Sequence, residues 1–441
     1  MKRVRKNKKL LLVFLSLLIF FLGLGGGYFY AHKGKIFKEP LSASQSQDVY
    51  SVFLGEIYDK IKQNYWEELS DEELSRLFVL GIEKLVSQPQ SLKEENKEGL
   101  LKMTALILKE IDSQERKKQF VAELADIVLA NLEPFGRSRL YSKKDETALK
   151  NSVENKNPDV NQYQILGINE NDSQKEIKQV YEEKKEELIP QAKSSTQAAQ
   201  ELAQINRSFE ILGDEDNRQV YDASGIEPTL SYRLIRPDIF YIHISKISPT
   251  TLDELQRVTK KVDSGENLDT LILDLQGNIG GSIDILPYLL GPFIGKDSYA
   301  YQFFHQGENT DFKTRVDWLP SLIRYKRVVI LIDGGTQSSA EVIAATLKKY
   351  NVGVLVGTTT RGWGTIERVF KLDSQLDDKE KYSMFLVHSL TLRDDGQPIE
   401  GKGVEPTVNI DDPDWEDKLY QYFHCEELIE AVKELIDEKG L

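Results

Sequence analysis

The chain has 441 residues, 40% of them hydrophobic, and a formal net charge of −14; it is too long for one average domain and apolar enough for two or three real cores. Six of the first nine residues are Lys or Arg, which leaves the rest of the chain at about −20, a field that repels nucleic acid and excludes it as a partner. The single cysteine, Cys425, excludes an internal disulfide.

In chain order, residues 1–9 form a basic tip, expected on the cytoplasmic side. LLLVFLSLLIFFLGLGGGYFYA, residues 10–31, follows without a charge. At 1.5 Å per residue such a run spans a hydrocarbon core of roughly 30 Å, so a transmembrane anchor is expected here. Positive charge ahead of it predicts a single-pass cell-membrane protein with its bulk on the extracytoplasmic side and membrane lipid as a partner. A cleaved signal peptide is the rival reading, against which the apolar length argues. Residues 32–48 read as a tether.

Residues 49–141 read as a helical region. VFLGEIYDKIKQNYW, LSRLFVLGIEKLV, LKMTALILKEI and QFVAELADIVLANL repeat apolar residues at three- and four-residue steps. Residues 142–160 are polar and without apolar period, hence a linker. Over 161–226 helices are expected at 163–167, 173–189 and 198–214, with Gly213 and Asp214 as stop signals.

From 232 to 411 the pattern changes to short β-branched runs. IFYIHIS, TLILDL, RVVILID, VGVLVG, RVFKL and MFLVHSLTL alternate with helical stretches such as TLDELQRVTKKVDS and SAEVIAATLKKY. That alternation predicts an α/β fold with helices against a mixed sheet. Residues 412–441 read as a terminal helix pair or one broken helix.

Two turns in the α/β region carry candidate chemistry. VVILID runs into GGTQSS and then a helix starting near Ser339, which would hold a hydroxyl exposed at the positive end of a helix. The plain alternative is capping: Thr336 or Ser338 can cap that helix, and Glu341 has capping-box spacing from Ser338. Gly277-Asn278-Ile279-Gly280-Gly281 follows TLILDLQ, and consecutive glycines after a buried strand let backbone N–H groups face a ligand, as an oxyanion hole requires.

Taken in order, FYIHIS, LILDLQGNIGG, VVILIDGGTQSSAEVIAATL, VGVLVGTTTRGWG and LTLRDDGQPIEGKGVEP resemble the catalytic domain of the carboxy-terminal processing, or tail-specific, serine peptidases. VFLGEIYDKIKQNYWEELSDEELSRLFVLGIEKLV and LANLEPFGRSRLY resemble the helical region that precedes it in that family. The resemblance implies a mixed-sheet core that hydrolyses peptide bonds after recognising a polypeptide, including its C-terminal end. It places the nucleophile at Ser338 and the oxyanion donors at Gly280, Gly281 and the amide of Ser339. It also implies a lysine general base in a TxGKG turn, and that position falls on Trp363 of TRGWG. Indole donates a hydrogen bond but cannot accept the serine proton. Arg361 stays protonated, and Lys348 and Lys349 lie about 15 Å along the helix from Ser338. The surrogate bases left open are Glu367, where the family commonly has glutamine, His388 and His243.

In place of the PDZ domain common in this family, NQYQILGINENDSQKEIKQVYEEKKEELIPQ and QELAQINRSFEILGDEDNRQVYDASG resemble a J-domain. Tyr163, Leu166, Gly167, Ile177, Lys178, Tyr181, Phe209, Leu212, Arg218, Tyr221 and Asp222 carry the likeness. The His-Pro-Asp turn that such a domain presents to its chaperone ATPase reads Ile189-Pro190-Gln191 here, and YEEKKEEL stands where basic residues are usual. A chaperone ATPase is thus not an expected partner. No metal site or cofactor is expected: the five histidines are scattered and no glycine-rich turn has phosphate-loop spacing. The reading is a membrane-anchored member of the peptidase family, a pseudopeptidase or weak peptidase because of Trp363. An active serine endopeptidase using Ser338 with a base other than lysine is the alternative.

Overall fold

A computed structural model describes residues 48–262 and 268–438. They form two units, one of residues 48–59, 69–132 and 372–378, the other of residues 60–68, 133–371 and 379–438.

The first unit is helical. It takes most of α1 (Val49–Asn64), then α2 (Asp71–Val86), α3 (Lys97–Lys109) and α4 (Gln114–Ala130). Their starts are written in the sequence. Ser70 takes the Glu73 N–H while the Glu73 carboxylate takes the Ser70 N–H, and Asn96 and Ser113 cap α3 and α4. Phe53, Leu54, Ile57, Phe78, Ile82, Leu100, Leu124 and Val128 are fully buried, each contributing about 1.5–3 kcal/mol.

The second unit opens with β1 (Arg139–Ser142) and α5 (Lys143–Val153). The expected linker over 142–160 therefore holds a helix. It escaped the apolar-period reading because it buries no residue; Ser142 and Asp145 form its capping box.

The J-like region consists of α6 (Gln162–Leu166), α7 (Gln174–Ala192), α8 (Thr196–Leu212) and α9 (Glu215–Ser224). Tyr181 stacks on Phe209 at 3.9 Å among Leu166, Ile177, Leu188, Ile205 and Leu212. Asp214, read as part of a stop, is instead the cap of α9 and accepts the N–H groups of Asp216 and Asn217. Ile189, Pro190 and Gln191 do not form a turn. They lie in the last turn of α7, and the chain reverses over residues 193–195.

The peptidase-like region is built on a six-stranded sheet in the order β11-β8-β7-β4-β3-β2. Its strands are β2 (Leu230–Arg236), β3 (Ile239–Ile244), β4 (Thr270–Asp274), β7 (Arg327–Ile332), β8 (Val354–Gly357) and β11 (Val408–Asn409). All neighbours are parallel except β2 on β3, and the buried runs of β4 and β7 show why these strands read as continuous apolar stretches. Leu255 and Val258 of α10 (Thr251–Val262) and Val342, Ile343 and Leu347 of α11 (Ser339–Lys349) belong to one core. Leu419 of α12 (Trp415–Phe423) and Leu428, Val432 and Leu435 of α13 (Glu426–Glu438) belong to another, with Ile239, Ile272, Val329 and Val356. A second, antiparallel sheet joins β1, β10 (Tyr382–Leu392), β5 (Tyr299–His305) and β6 (Glu308–Lys313), with β9 (Thr365–Lys371) also paired to β10.

One part of the expected fold class is corrected. Among the described residues no helix is long and apolar enough to cross a membrane. The longest of those named, α7, has 19 residues and is crowded with Glu and Lys. Residues 10–31, on which the anchor was expected, lie outside the described residues. The described residues thus give no support to the transmembrane helix, the membrane-anchored function, the lipid partner or the single-pass localisation; they do show the α/β core, the N-terminal helices and the helical J-like region.

Candidate functional site

Parallel strands β4, β7 and β8 deliver three loops to the same end of the sheet, and side chains within those loops bind them together. Asp333, one residue after β7, accepts N–H bonds from Gly277 (2.8 Å), Gly335 (3.0 Å) and Thr336 (2.9 Å). Thr336 Oγ1 donates to the Leu275 carbonyl (2.8 Å), and the Gln337 N–H reaches the Asn278 carbonyl (2.9 Å). The Arg361 N–H reaches the Thr336 carbonyl (2.9 Å). Local hydrogen bonding thus fixes loop geometry that apolar packing alone would leave loose.

Ser338 caps α11 with φ +57° and ψ −130°, a backbone region that non-glycine residues enter only under strain. Gly280 has to be glycine beside it: a Cβ there would lie 2.6 Å from Ser338 Cβ, and its φ is +81°. Gly281 is tighter still, with a Cβ position 2.0 Å from the Ile247 carbonyl oxygen.

The amides expected to face a ligand are not equivalent. The Gly280 N–H donates to Asn278 Oδ1 (2.8 Å), so it is committed within its own turn. The Gly281 and Ser339 N–H groups have no hydrogen-bond acceptor among the described residues. Ser339 Oγ is buried at the same turn, also without a partner.

Glu341 is the residue that joins this turn to TRGWG. Its carboxylate accepts the Ser338 N–H (2.9 Å), the Trp363 N–H (2.8 Å), the Gly362 N–H (2.7 Å) and the Thr360 hydroxyl (2.5 Å). Capping-box spacing located Glu341, but its three bonds into the later loop carry no local sequence signal. Burial raises its carboxyl above the usual range, and the four bonds offset part of that shift.

Trp363 fills the expected lysine position, and its indole lies under a cation. Arg137 Cζ sits 3.5 Å from the ring centroid, and Arg361 Cζ lies 5.8 Å from it. Arg137 is paired to Glu400 (2.8 Å) and donates to Thr365 Oγ1 (3.2 Å). Glu400 in turn accepts the Gly364 N–H (2.7 Å). Neither Arg137 nor Glu400 was singled out from sequence; both reach the site by tertiary folding.

The surrogate bases are engaged elsewhere. Glu367 accepts the Thr365 hydroxyl (2.6 Å), and its carboxyl is raised by burial, opposed by Thr365, Arg137 and Trp363. His388 lies at a β-bulge of β10, stacks on His305 at 4.2 Å and shares a hydrogen bond with Ser389 Oγ (2.7 Å). Burial and the neighbouring Arg368 hold it down to about 4. His243 Nε2 is 3.3 Å from the Gln276 carbonyl. Lys348 and Lys349 stand at the far end of α11, on the Glu405 carbonyl and over the Tyr299 ring. No hydrogen bond joins Ser338 Oγ to an amine, imidazole or carboxylate among the described residues. The turn can receive negative charge; nothing bonded to the hydroxyl removes its proton.

A cleft of about 940 Å³ opens at the other end of α11, lined among others by Lys326, Arg393 and Tyr422, and shares no lining residue with the Ser338 turn. Among the described residues no cluster of three or more His, Cys, Asp or Glu could hold a metal ion.

Residues 238–410 match peptidase family S41, and residues 161–222 match the DnaJ domain. The carboxy-terminal processing protease CtpB of Bacillus subtilis is 29% identical over 175 residues, 40% of this chain and 34% of that protein. CtpA of the same organism is 26% identical over 367 residues, covering 82% of this chain and 69% of that protein. Among solved structures, a lipoprotein from Streptococcus agalactiae aligns over 89% of this chain and 100% of its own, at 14% identity and a TM-score of 0.45. The match spans about a third of CtpB. Residues 238–410 are thus a peptidase family S41 region, similar to the carboxy-terminal processing proteases, and residues 161–222 ahead of it are a DnaJ-domain region.

Proposed function

We propose that this chain is a polypeptide-binding member of its family whose turnover at Ser338 is absent or greatly weakened. The observation that carries the reading is the Trp363 position. A donor-only indole stands where the lysine base is expected, stacked under Arg137, while no amine, imidazole or carboxylate among the described residues bonds the Ser338 hydroxyl. The loops that would position a polypeptide remain pinned by Asp333, Asn278 and Glu341. The inserted DnaJ-like region supports no chaperone ATPase partner, since Ile189 and Gln191 stand where the His and Asp of the expected turn would be and the three residues are helical.

The alternative is an active endopeptidase with Glu367 or His388 as base. Their present hydrogen bonds to Thr365 and Ser389 speak against it. Trp363→Lys tests the proposal directly. Restoring an amine should produce measurable casein cleavage, and a further Ser338→Ala change should remove it. A folded Trp363→Lys variant no more active than the original would weaken the lost-base account.

A further inference from the structure

We infer that the place of the lost base has become a receptor for a carboxylate, with Arg361 as the residue that selects ligands carrying one. The inference rests on the polypeptide-binding reading and specifies what is bound. Arg361 is exposed, and no ion pair to it occurs among the described residues. The chain has 71 acidic against 57 basic residues, so an uncompensated guanidinium is not simply a consequence of scarce acid.

Three charged neighbours in the same cluster are already engaged. Arg137 is neutralised by Glu400, and Glu341 is saturated by four donors. Glu367 is engaged by Thr365, and burial favours its neutral form. Arg361 is left over.

Its backbone is held on both sides, and its guanidinium Cζ lies 5.8 Å from the Trp363 ring. The Arg361 N–H is bonded to Thr336, two residues before Ser338. The N–H groups of Trp363 and Ser338 share Glu341 Oε2, at 2.8 and 2.9 Å, and so lie within about 6 Å of each other. The loop after β4 holds the unengaged Gly281 N–H, and the start of α11 holds the unengaged Ser339 N–H and the buried, unpartnered Ser339 hydroxyl. Donors at the start of an eleven-residue helix together with a guanidinium form a carboxylate receptor. Ile279, two residues before Gly281, is 52% exposed and offers apolar surface on that loop.

The carboxylate can come from the end of a polypeptide or from an Asp or Glu side chain, and one titration separates these. The full chain is titrated with fluorescein-labelled neutral decapeptides in four forms: free terminus, amidated terminus, amidated with a central Glu, and amidated with a central Gln. The free-terminus form, the Glu form or both should bind at least about tenfold tighter than the Gln form, as expected for a charge-assisted contact. Arg361→Gln should erase that difference, and Arg361→Lys should keep part of it. Equal affinities for all four forms, or discrimination that survives Arg361→Gln, would overturn the inference and leave polypeptide binding intact. Failure of every peptide to bind would overturn both readings.

Discussion

The Ser338 site, through Trp363, and the end of α7 each depart from the sequence pattern they resemble, but their backbones differ. Ile189-Pro190-Gln191 has relaxed into an ordinary helical turn, and even Pro190 is absorbed. Ser338 keeps φ +57°, facing two glycines that a single added carbon would push into Ser338 or Ile247. A strained residue costs about 1–3 kcal/mol and persists only where its surroundings hold it. The molecule therefore maintains the geometry of one eroded site and not the other. This supports a continuing binding role for the Ser338 turn and a structural one for the J-like region.

That contrast can be broken by substitution. The largest expected effect is Gly281→Ala, which forces a Cβ into the Ile247 carbonyl at φ +142° and should cost more than about 3 kcal/mol in urea unfolding. A loss below 1 kcal/mol would mean the turn is not held tightly. Glu341→Ala leaves four donors without their shared acceptor and should cost about 3 kcal/mol, provided unfolding stays two-state. At the other region, Pro190→Ala restores a backbone donor inside α7 and should be neutral or stabilise by up to about 1 kcal/mol. A clear loss there would show that the old turn still has a structural demand.

The smallest effect sharpens the electrostatics. Burial raises the Glu367 carboxyl, so the folded state keeps its proton longer than the unfolded chain does. That contribution is fully present below the unfolded pKa and is lost as pH rises through the folded one. Glu367→Gln should therefore raise the melting temperature at pH 7, with the gain shrinking as pH falls toward 4. A gain independent of pH would assign the effect to packing instead.

Ser338, Gly280, Gly281 and Trp363 all sit on loops after buried strands, where turn chemistry and strand period are legible. Arg137 and Glu400 were missed because an ion pair over an indole arises from segments far apart in sequence. The β5–β6 hairpin was missed although Gln306-Gly307, both at positive φ, is a recognisable two-residue turn. Helix α5 was passed over because it has no buried face, with only its capping box to announce it. The J-like helices were legible in their apolar spacing, but the shift of α7 through Pro190 was not, since proline reads as a helix stop.

The central claim is that the Ser338 hydroxyl has lost its proton acceptor. The most direct measurement compares casein cleavage by the unaltered chain and by Ser338→Ala, at equal concentration from pH 5 to 9. The account predicts the same background rate for both at every pH. Cleavage by the unaltered chain that rises above background and disappears in Ser338→Ala would contradict it.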